Sequence, residues 1–274
     1  MTKGKFYVIG TGPGGPRQTT LEALECMEKA DVFLCSSEVR EKFRDILGDK
    51  PVLYDPWAGL FDFKGKPWRK LVASEPSLVE EFKRERVRLR EEIVQRIQGE
   101  MREGRNVALI ETGDPCLFGP SHWFIEGLDP ADVEILPGVG TFPAAMAVLK
   151  KSSIPSHDTR FVVQTSPMSL FTPGEDDGVL DALQSFPSTM IFYMGLWNLE
   201  GLAGRLKEKL PADLPAAIVY HAGSREKQRV VEGTLENIAD KAKEVDEDFA
   251  GLIVLGRCLT GNGYRSVVEN MVRV

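Results

Sequence analysis

With 274 residues, 42% of them hydrophobic, the chain can bury a sizeable core in one large domain or two of ordinary size, and two is the expected division. Lys and Arg number 34 against 41 Asp and Glu, and the resulting net charge of -7 excludes a broad basic footprint for nucleic acid or an anionic membrane, though not a local basic pocket. Met1 to Lys5 lacks the apolar core of a signal peptide and no apolar run reaches the length of a membrane span, so a soluble, cytoplasmic protein is expected. The four cysteines, Cys26, Cys35, Cys116 and Cys258, lie far apart without a C-x-x-C pair, which reads as reduced core thiols rather than a zinc site.

Phe6 to Ile9 reads as a buried strand that runs into Gly10-Thr11-Gly12-Pro13-Gly14-Gly15-Pro16. Gly10, Gly12 and Gly15 spell G-x-G-x-x-G, the pattern of dinucleotide sites. Such a site needs backbone N–H groups aimed at a pyrophosphate from the first turn of the next helix. Pro13 and Pro16 remove two of those donors, and Arg17 to Thr20 delays the apolar helical pattern. Cys35-Ser36-Ser37 stands where an acidic residue should close the second strand, with Glu38 arriving late. A cofactor contact other than pyrophosphate fits this loop better, with a ligand-free tight turn as the structural alternative.

Leu21, Ala23, Leu24 and Met27 recur at helical spacing, Asp31 to Leu34 reads as a second strand, and Pro51 to Tyr54 as a third. Asp55 to Pro76, with its Trp, Gly and Pro residues, reads as a long irregular connection. Ser77 to Arg105 carries an apolar stripe of Leu78, Phe82, Val87, Ile93, Val94, Ile97 and Met101 among many charges, an amphipathic helix or two with a solvated outer face. The strand Val107 to Glu111 meets Thr112-Gly113-Asp114-Pro115 directly. Gly113 permits a bend, Pro115 fixes the turn, and Asp114 is presented at the strand's carboxyl end, where open α/β sheets bind ligands. A helix carrying Trp123, Phe124 and Leu128 precedes the strand Val133 to Leu136, and Pro137-Gly138 reads as a hinge, giving domains 1–136 and 137–274.

In the second half, Thr141 suits a helix N-cap before Phe142 to Leu149, and Arg160 to Gln164 reads as a strand. Ser166 to Gly178 is a polar loop, and Thr189 to Met194 a strand whose terminal Met would ordinarily be core filler. Leu199 to Leu210 reads as a helix, Ala216 to Tyr220 as a strand, His221 to Arg229 as a polar loop, Leu235 to Val245 as a helix and Leu252 to Leu255 as a strand. Alternating strands and helices imply two α/β domains with mostly parallel sheets and a ligand cleft between them.

In order and spacing, the opening glycine loop, Gly113-Asp114-Pro115, Pro137-Gly138-Val139, Tyr193-Met194, Gln228-Arg229 before Gly233-Thr234-Leu235, and the closing Gly251 to Gly256 together resemble the tetrapyrrole (corrin and porphyrin) methylase family. The resemblance implies a homodimeric enzyme that holds S-adenosylmethionine between two α/β domains, transfers its methyl group to a tetrapyrrole carbon and releases S-adenosylhomocysteine. It implies cofactor contacts at Pro13, Thr112, Gly113, Asp114, Leu117, Gly140, Thr141, Met194 and Gly223, a catalytic Asp114 that orients cofactor or substrate and assists proton removal, and no metal. Polycarboxylate substrates imply basic partners, for which Arg17, Arg69, His122, Arg160, Arg225 and Arg229 are candidates by loop position. His122, His157 and His221 show no ligand spacing, and His221 is the one to test first. Thr112, Pro137-Gly138-Val139, Phe142 and Ala144-Ala145 lean toward the precorrin-4 type of cobalamin biosynthesis rather than the uroporphyrinogen type of sirohaem biosynthesis. Ala108 and Gln164-Thr165-Ser166 depart from the pattern of those enzymes. A nicotinamide oxidoreductase, read from G-x-G-x-x-G, and a non-catalytic relative that kept its binding cleft are the competing readings.

Overall fold

Val32-Phe33-Leu34 and Val107 to Glu111 are buried along their whole length, as strands covered on both faces must be. In the computed structural model, which describes residues 2–59, 62–67, 76–155, 159–171 and 178–260, they lie inside a five-stranded sheet. Its strands are β1 (Phe6–Gly10), β2 (Val32–Leu34), β3 (Val52–Tyr54), β6 (Val107–Glu111) and β7 (Val133–Leu136). The order is β3-β2-β6-β1-β7 and every pairing is parallel. The period of two sorts the side chains: Phe6, Val8, Val107 and Leu109 enter one core with Ile93, Val94, Ile97 and Met101, while Ile9, Ala108 and Ile110 enter another with Ala23, Cys26 and Met27. The chain divides into two compact units, Met1–Gly140 and Thr141–Val274, and this sheet belongs to the first.

The helix Leu21–Lys29 begins at Thr20, whose hydroxyl accepts the Ala23 N–H at 3.2 Å. The charged segment is one helix, Pro76–Arg102, rather than two. Only its second half buries a continuous stripe; Val87 stays 50% exposed. Within the expected irregular connection, β4 (Asp62–Phe63) and β5 (Lys66–Pro67) form a small hairpin turned by Lys64 and Gly65, both at positive φ. Two short helices, Ser37–Lys42 and Arg44–Leu47, follow β2 where the apolar pattern gave no signal. The expected helix around Trp123 is short, His122–Ile125, and ends before Leu128.

The second unit holds β8 (Phe161–Thr165), β9 (Ser188–Phe192), β10 (Pro215–Tyr220), β11 (Arg229–Thr234) and β12 (Gly251–Leu255), in the order β11-β10-β12-β9-β8. Here the expectation of mostly parallel pairing needs correction. Only β8 and β9 run parallel; the other three pairings are antiparallel. One reason is β11, whose residues beyond Arg229 the sequence reading left without an element: it is an edge strand of mixed polarity with no fully buried residue, and the short connection over residues 221–228 returns it antiparallel to β10. The other is β12, which inserts between β9 and β10, so two strands of like direction are not neighbours. The helices Leu199–Lys207 and Ile238–Ala242 cover one face of this sheet through Leu202, Leu206 and Ile238. Thr141–Leu149 covers the other, with Ala144 and Ala145 against Ile191, Val219 and Leu252. Short helices at Pro167–Leu170 and Val179–Ser185 flank residues 172–177, so much of the expected 166–178 loop lies outside the described residues. Among the described residues, no helix is long and apolar enough to cross a membrane.

Candidate functional site

Because the first sheet is parallel, the carboxyl ends of β1, β6 and β7 share one edge, and the three loops that leave them meet there. Their crossing is made of glycine backbone. A Cβ on Gly138 would stand 2.1 Å from the Gly113 carbonyl oxygen and 2.7 Å from the Gly10 carbonyl carbon, and a Cβ on Gly10 would stand 2.6 Å from the Gly138 nitrogen. No side chain fits between these strand ends. The loops are also stitched together: Thr11 N–H donates to the Glu111 carbonyl at 2.9 Å, Gly12 N–H to the Gly113 carbonyl at 3.1 Å, and the Thr11 hydroxyl to the Glu111 carbonyl at 3.0 Å.

This stitching decides what the glycine loop can bind. Thr11 and Gly12 spend their N–H groups on the Glu111 and Gly113 carbonyls, Gly14 donates to the Gln18 side chain at 2.8 Å, and Pro13 and Pro16 have none. The helix that follows starts only at Leu21, and the Thr20 hydroxyl already caps it. A pyrophosphate would find neither the fan of donors nor the helix dipole it needs, and the Asp114 carboxylate on the neighbouring loop would repel it. The nicotinamide reading therefore fails on geometry. The part-exposed Asp114 carboxylate suits a ligand that presents a cationic or hydroxyl group instead.

Of the residues proposed from the sequence, Pro13, Thr112, Gly113, Asp114, Leu117 and Gly140 lie along this edge of the first sheet. Thr112 is exposed and Asp114 half-buried. One Asp114 oxygen accepts the Cys116 N–H at 2.9 Å and its carbonyl accepts the Leu117 N–H at 3.1 Å, so the Gly113-Asp114-Pro115 turn is locked locally. Gly113 takes φ 86°, which its turn requires. Thr141, Met194 and Gly223 belong to the second unit. Thr141 opens the helix Thr141–Leu149. Met194 and Gly223 follow β9 and β10, which both run antiparallel to β12, so the two turns stand at the same edge of that sheet.

Met194 takes φ 55° and His221, beside Gly223, takes φ 45°. Left-handed backbone in a non-glycine residue is uncommon and clusters at functional sites. The His221 Nε2 lies 2.9 Å from Glu247, and its backbone N–H donates to the Ala250 carbonyl. Burial acts upward on the Glu247 carboxyl, but the N–H groups of Ala250 and Phe249, together with His221, outweigh it and hold the group below its ordinary range. His221 is thus a turn anchor in a polar pair. Gly223 N–H donates to the Gln228 side chain at 3.3 Å, as Gly14 does to Gln18, so both glycine turns are closed by a glutamine a few residues on.

The remaining candidates are spread out. Arg17, His122, Arg160, Arg225 and Arg229 are exposed, and Arg229 is folded onto its own turn through the Glu226 and Gln228 carbonyls. Arg69 and His157 lie outside the described residues. Cys26, Cys35 and Cys258 are buried thiols, and burial pushes Cys26 and Cys35 up to about 11. Cys116 departs from the expected core role, because it is exposed on the Asp114 loop.

Sequence reasoning passed over Glu111. This carboxyl ends β6 at 2% exposure, with Oε1 accepting the Ser121 N–H at 3.1 Å and Oε2 accepting the Ser121 hydroxyl at 2.8 Å. Burial pushes it up to about 7; the two Ser121 hydrogen bonds act downward and the Asp114 charge adds to the rise. The available signal was a charged residue closing an otherwise apolar strand.

Fold and loops together define a two-unit α/β protein whose parallel sheet carries closely packed loops at its carboxyl edge. Residues 5–239 match the family described as Tetrapyrrole (Corrin/Porphyrin) Methylases, and the chain belongs to that family of S-adenosylmethionine-dependent methyltransferases. The cobalt-precorrin-4 C(11)-methyltransferase of Methanocaldococcus jannaschii is 29% identical over 264 residues, covering 95% of this chain and 90% of that one. A solved cobalt precorrin-4 methyltransferase matches at a TM-score of 0.68 and 22% identity, over 94% of this chain and 96% of that one. The uroporphyrin-III C-methyl transferase of Thermus thermophilus, solved with S-adenyl homocysteine, matches at 0.62 and 22% identity, over 93% and 99%.

Proposed function

We propose that this chain transfers the methyl group of S-adenosylmethionine to a carbon of a corrin precursor of the precorrin-4 type. The observation that carries the reading is the crossing of the β1, β6 and β7 loops, where the Thr11, Gly12 and Gly14 N–H groups are consumed internally and Asp114 stands on the neighbouring loop. When bound, the cofactor would supply an electrophilic methyl on a sulfonium: its carbon–sulfur bond would break as a tetrapyrrole carbon forms the new bond, S-adenosylhomocysteine would leave, and the methylated tetrapyrrole would shed a proton elsewhere on the ring system. The chain's own work is to orient and to exclude water. In the first unit Pro13, Thr112, Gly113, Asp114, Leu117 and Gly140 would form the contacts, and in the second Thr141, Met194 and Gly223. Asp114, held by Cys116 N–H, keeps a carboxylate oriented for a hydroxyl or ammonium donor and for the departing proton.

Incubation with labelled S-adenosylmethionine and a panel of tetrapyrroles tests this reading. Label in a corrin precursor is expected. Label only in uroporphyrinogen would move the substrate, and binding without label transfer would leave a degenerate binder. We also infer a homodimer, which light scattering at twice the mass of 30.4 kDa would support and a monomer at working concentration would contradict.

A further inference from the structure

Glu111 is the one charged residue among the five buried positions of β6. Placing a carboxyl there is costly unless it is hydrogen-bonded. Ser121, itself fully buried, satisfies both oxygens from a single position, with its N–H at 3.1 Å and its hydroxyl at 2.8 Å. The intervening segment Thr112–Pro120 is thereby closed into a loop. It passes directly over the carboxyl: a Cβ on Gly119 would lie 2.5 Å from Glu111 Oε2 and 2.5 Å from the Pro115 carbonyl, so only glycine fits. The same residue's backbone carbonyl receives both the Thr11 N–H and the Thr11 hydroxyl, which ties the β1 loop to it as well.

We propose that Glu111 is a positioning residue: closed on Ser121, its side chain holds the 112–121 segment, with Gly113 and Asp114, in the shape that receives the methyl donor. This rests on the reading of that segment as a cofactor contact. The titratable groups that act on Glu111 or feel it, Asp114 and Cys116, both belong to the clasped segment; β1 brings only Gly10 and Thr11 against it. Burial favours the neutral carboxyl in the closed clasp, so ionisation near neutral pH favours opening, which rehydrates the charge. The clasp is tighter on the acid side.

The test compares the wild type with Glu111→Gln, a neutral isostere, Glu111→Leu, which has no acceptor, and Ser121→Ala. Calorimetry reads S-adenosylhomocysteine affinity at pH 6 and pH 8, and hydrogen exchange reads protection of the 112–121 amides without ligand. Wild-type affinity should fall by up to about tenfold from pH 6 to pH 8, with lower protection at pH 8. Glu111→Gln should hold the pH 6 affinity at both, and Glu111→Leu should lose about tenfold at both, because Ser121 is left with unsatisfied buried donors. Ser121→Ala should lose less, since its N–H remains. Should Glu111→Leu fail to fold, the flat pH response of Glu111→Gln and the weakened protection in Ser121→Ala still decide. Wild-type pH dependence surviving in Glu111→Gln, or wild-type protection of the 112–121 amides in Ser121→Ala, would overturn the proposal. No S-adenosylhomocysteine binding by any of the proteins would overturn the methyl-donor reading instead, and the ligand-free exchange would still decide the clasp.

Discussion

Gly138→Ala places one methyl group at the crossing of the three strand-end loops. Gly138 is not at positive φ, so the substitution meets no backbone restriction and its whole effect comes from contact. The added carbon would start 2.1 Å from the Gly113 carbonyl oxygen. Ordinary contact lies near 3.5 Å, so the backbone must open by roughly 1 Å or more. Overpacking of this kind costs about 1–3 kcal/mol, and the upper end applies because the neighbours are main chain rather than flexible side chains. Opening would also part Gly12 from the Gly113 carbonyl, now 3.1 Å apart, and with it the glycine loop from Asp114. A displacement of that size reduces turnover on the order of a hundredfold. Urea unfolding measures the first effect and labelled methyl transfer the second. Gly204→Ala is the control: it sits on the exposed face of the helix Leu199–Lys207 with nothing within 4 Å, and should stabilise by about 0.5–1 kcal/mol. A Gly138→Ala protein with wild-type stability and wild-type turnover would refute the described packing of the loops.

Since Glu111 titrates near 7 when folded and near 4.5 in its ordinary state, the native protein binds the extra proton between those values. Global stability should therefore decline as pH rises from about 4.5 to about 7 and level off above, by at most roughly 3 kcal/mol. Urea midpoints across that range should show a smaller slope for Glu111→Gln; an equal slope rejects the assignment. Asp114→Ala should cut methyl transfer at least about tenfold with little change in unfolding midpoint, and full transfer with unchanged cofactor affinity would remove Asp114 from the site. Met194→Gly relieves left-handed backbone while removing a side chain from the proposed contact; stability within about 1 kcal/mol of wild type and weaker S-adenosylhomocysteine binding are expected, and the opposite pair of changes would make Met194 ordinary core. Thr20→Ala removes the cap on Leu21–Lys29 and should cost about 1 kcal/mol in urea unfolding without moving cofactor affinity.

The first sheet was legible because Val32-Phe33-Leu34 and Val107 to Ile110 are unbroken apolar runs, which only strands covered on both faces carry. The second sheet was legible in its elements but not in its directions. Alternation of strand and helix is the same whether β10 lies beside β9 or leaves a gap that an antiparallel β12 later fills. Edge strand β11 escaped because Val230 and Val231 are flanked by Arg229 and Glu232, and the exposed edge of a sheet needs no apolar alternation. At the site, the turn Gly113-Asp114-Pro115 could be read locally, since a glycine that permits the bend and a proline that fixes the turn flank the aspartate in sequence. The Glu111 clasp could not, because its partner Ser121 stands ten residues on and only the folded loop brings them together. The G-x-G-x-x-G pattern is ambiguous for the same reason: Pro13 and Pro16 already argue against a pyrophosphate in the sequence, but whether Gly12 and Gly14 offer their N–H groups to a ligand depends on Gly113 and Gln18, which the motif does not contain.

The account turns on whether the glycine loop belongs to a methyl-donor site or to a dinucleotide site. Calorimetric titration of the wild-type protein with S-adenosylhomocysteine and, separately, with NADH answers this directly. Saturable micromolar binding of S-adenosylhomocysteine with no heat from NADH is the predicted result; micromolar NADH binding without S-adenosylhomocysteine binding would contradict it.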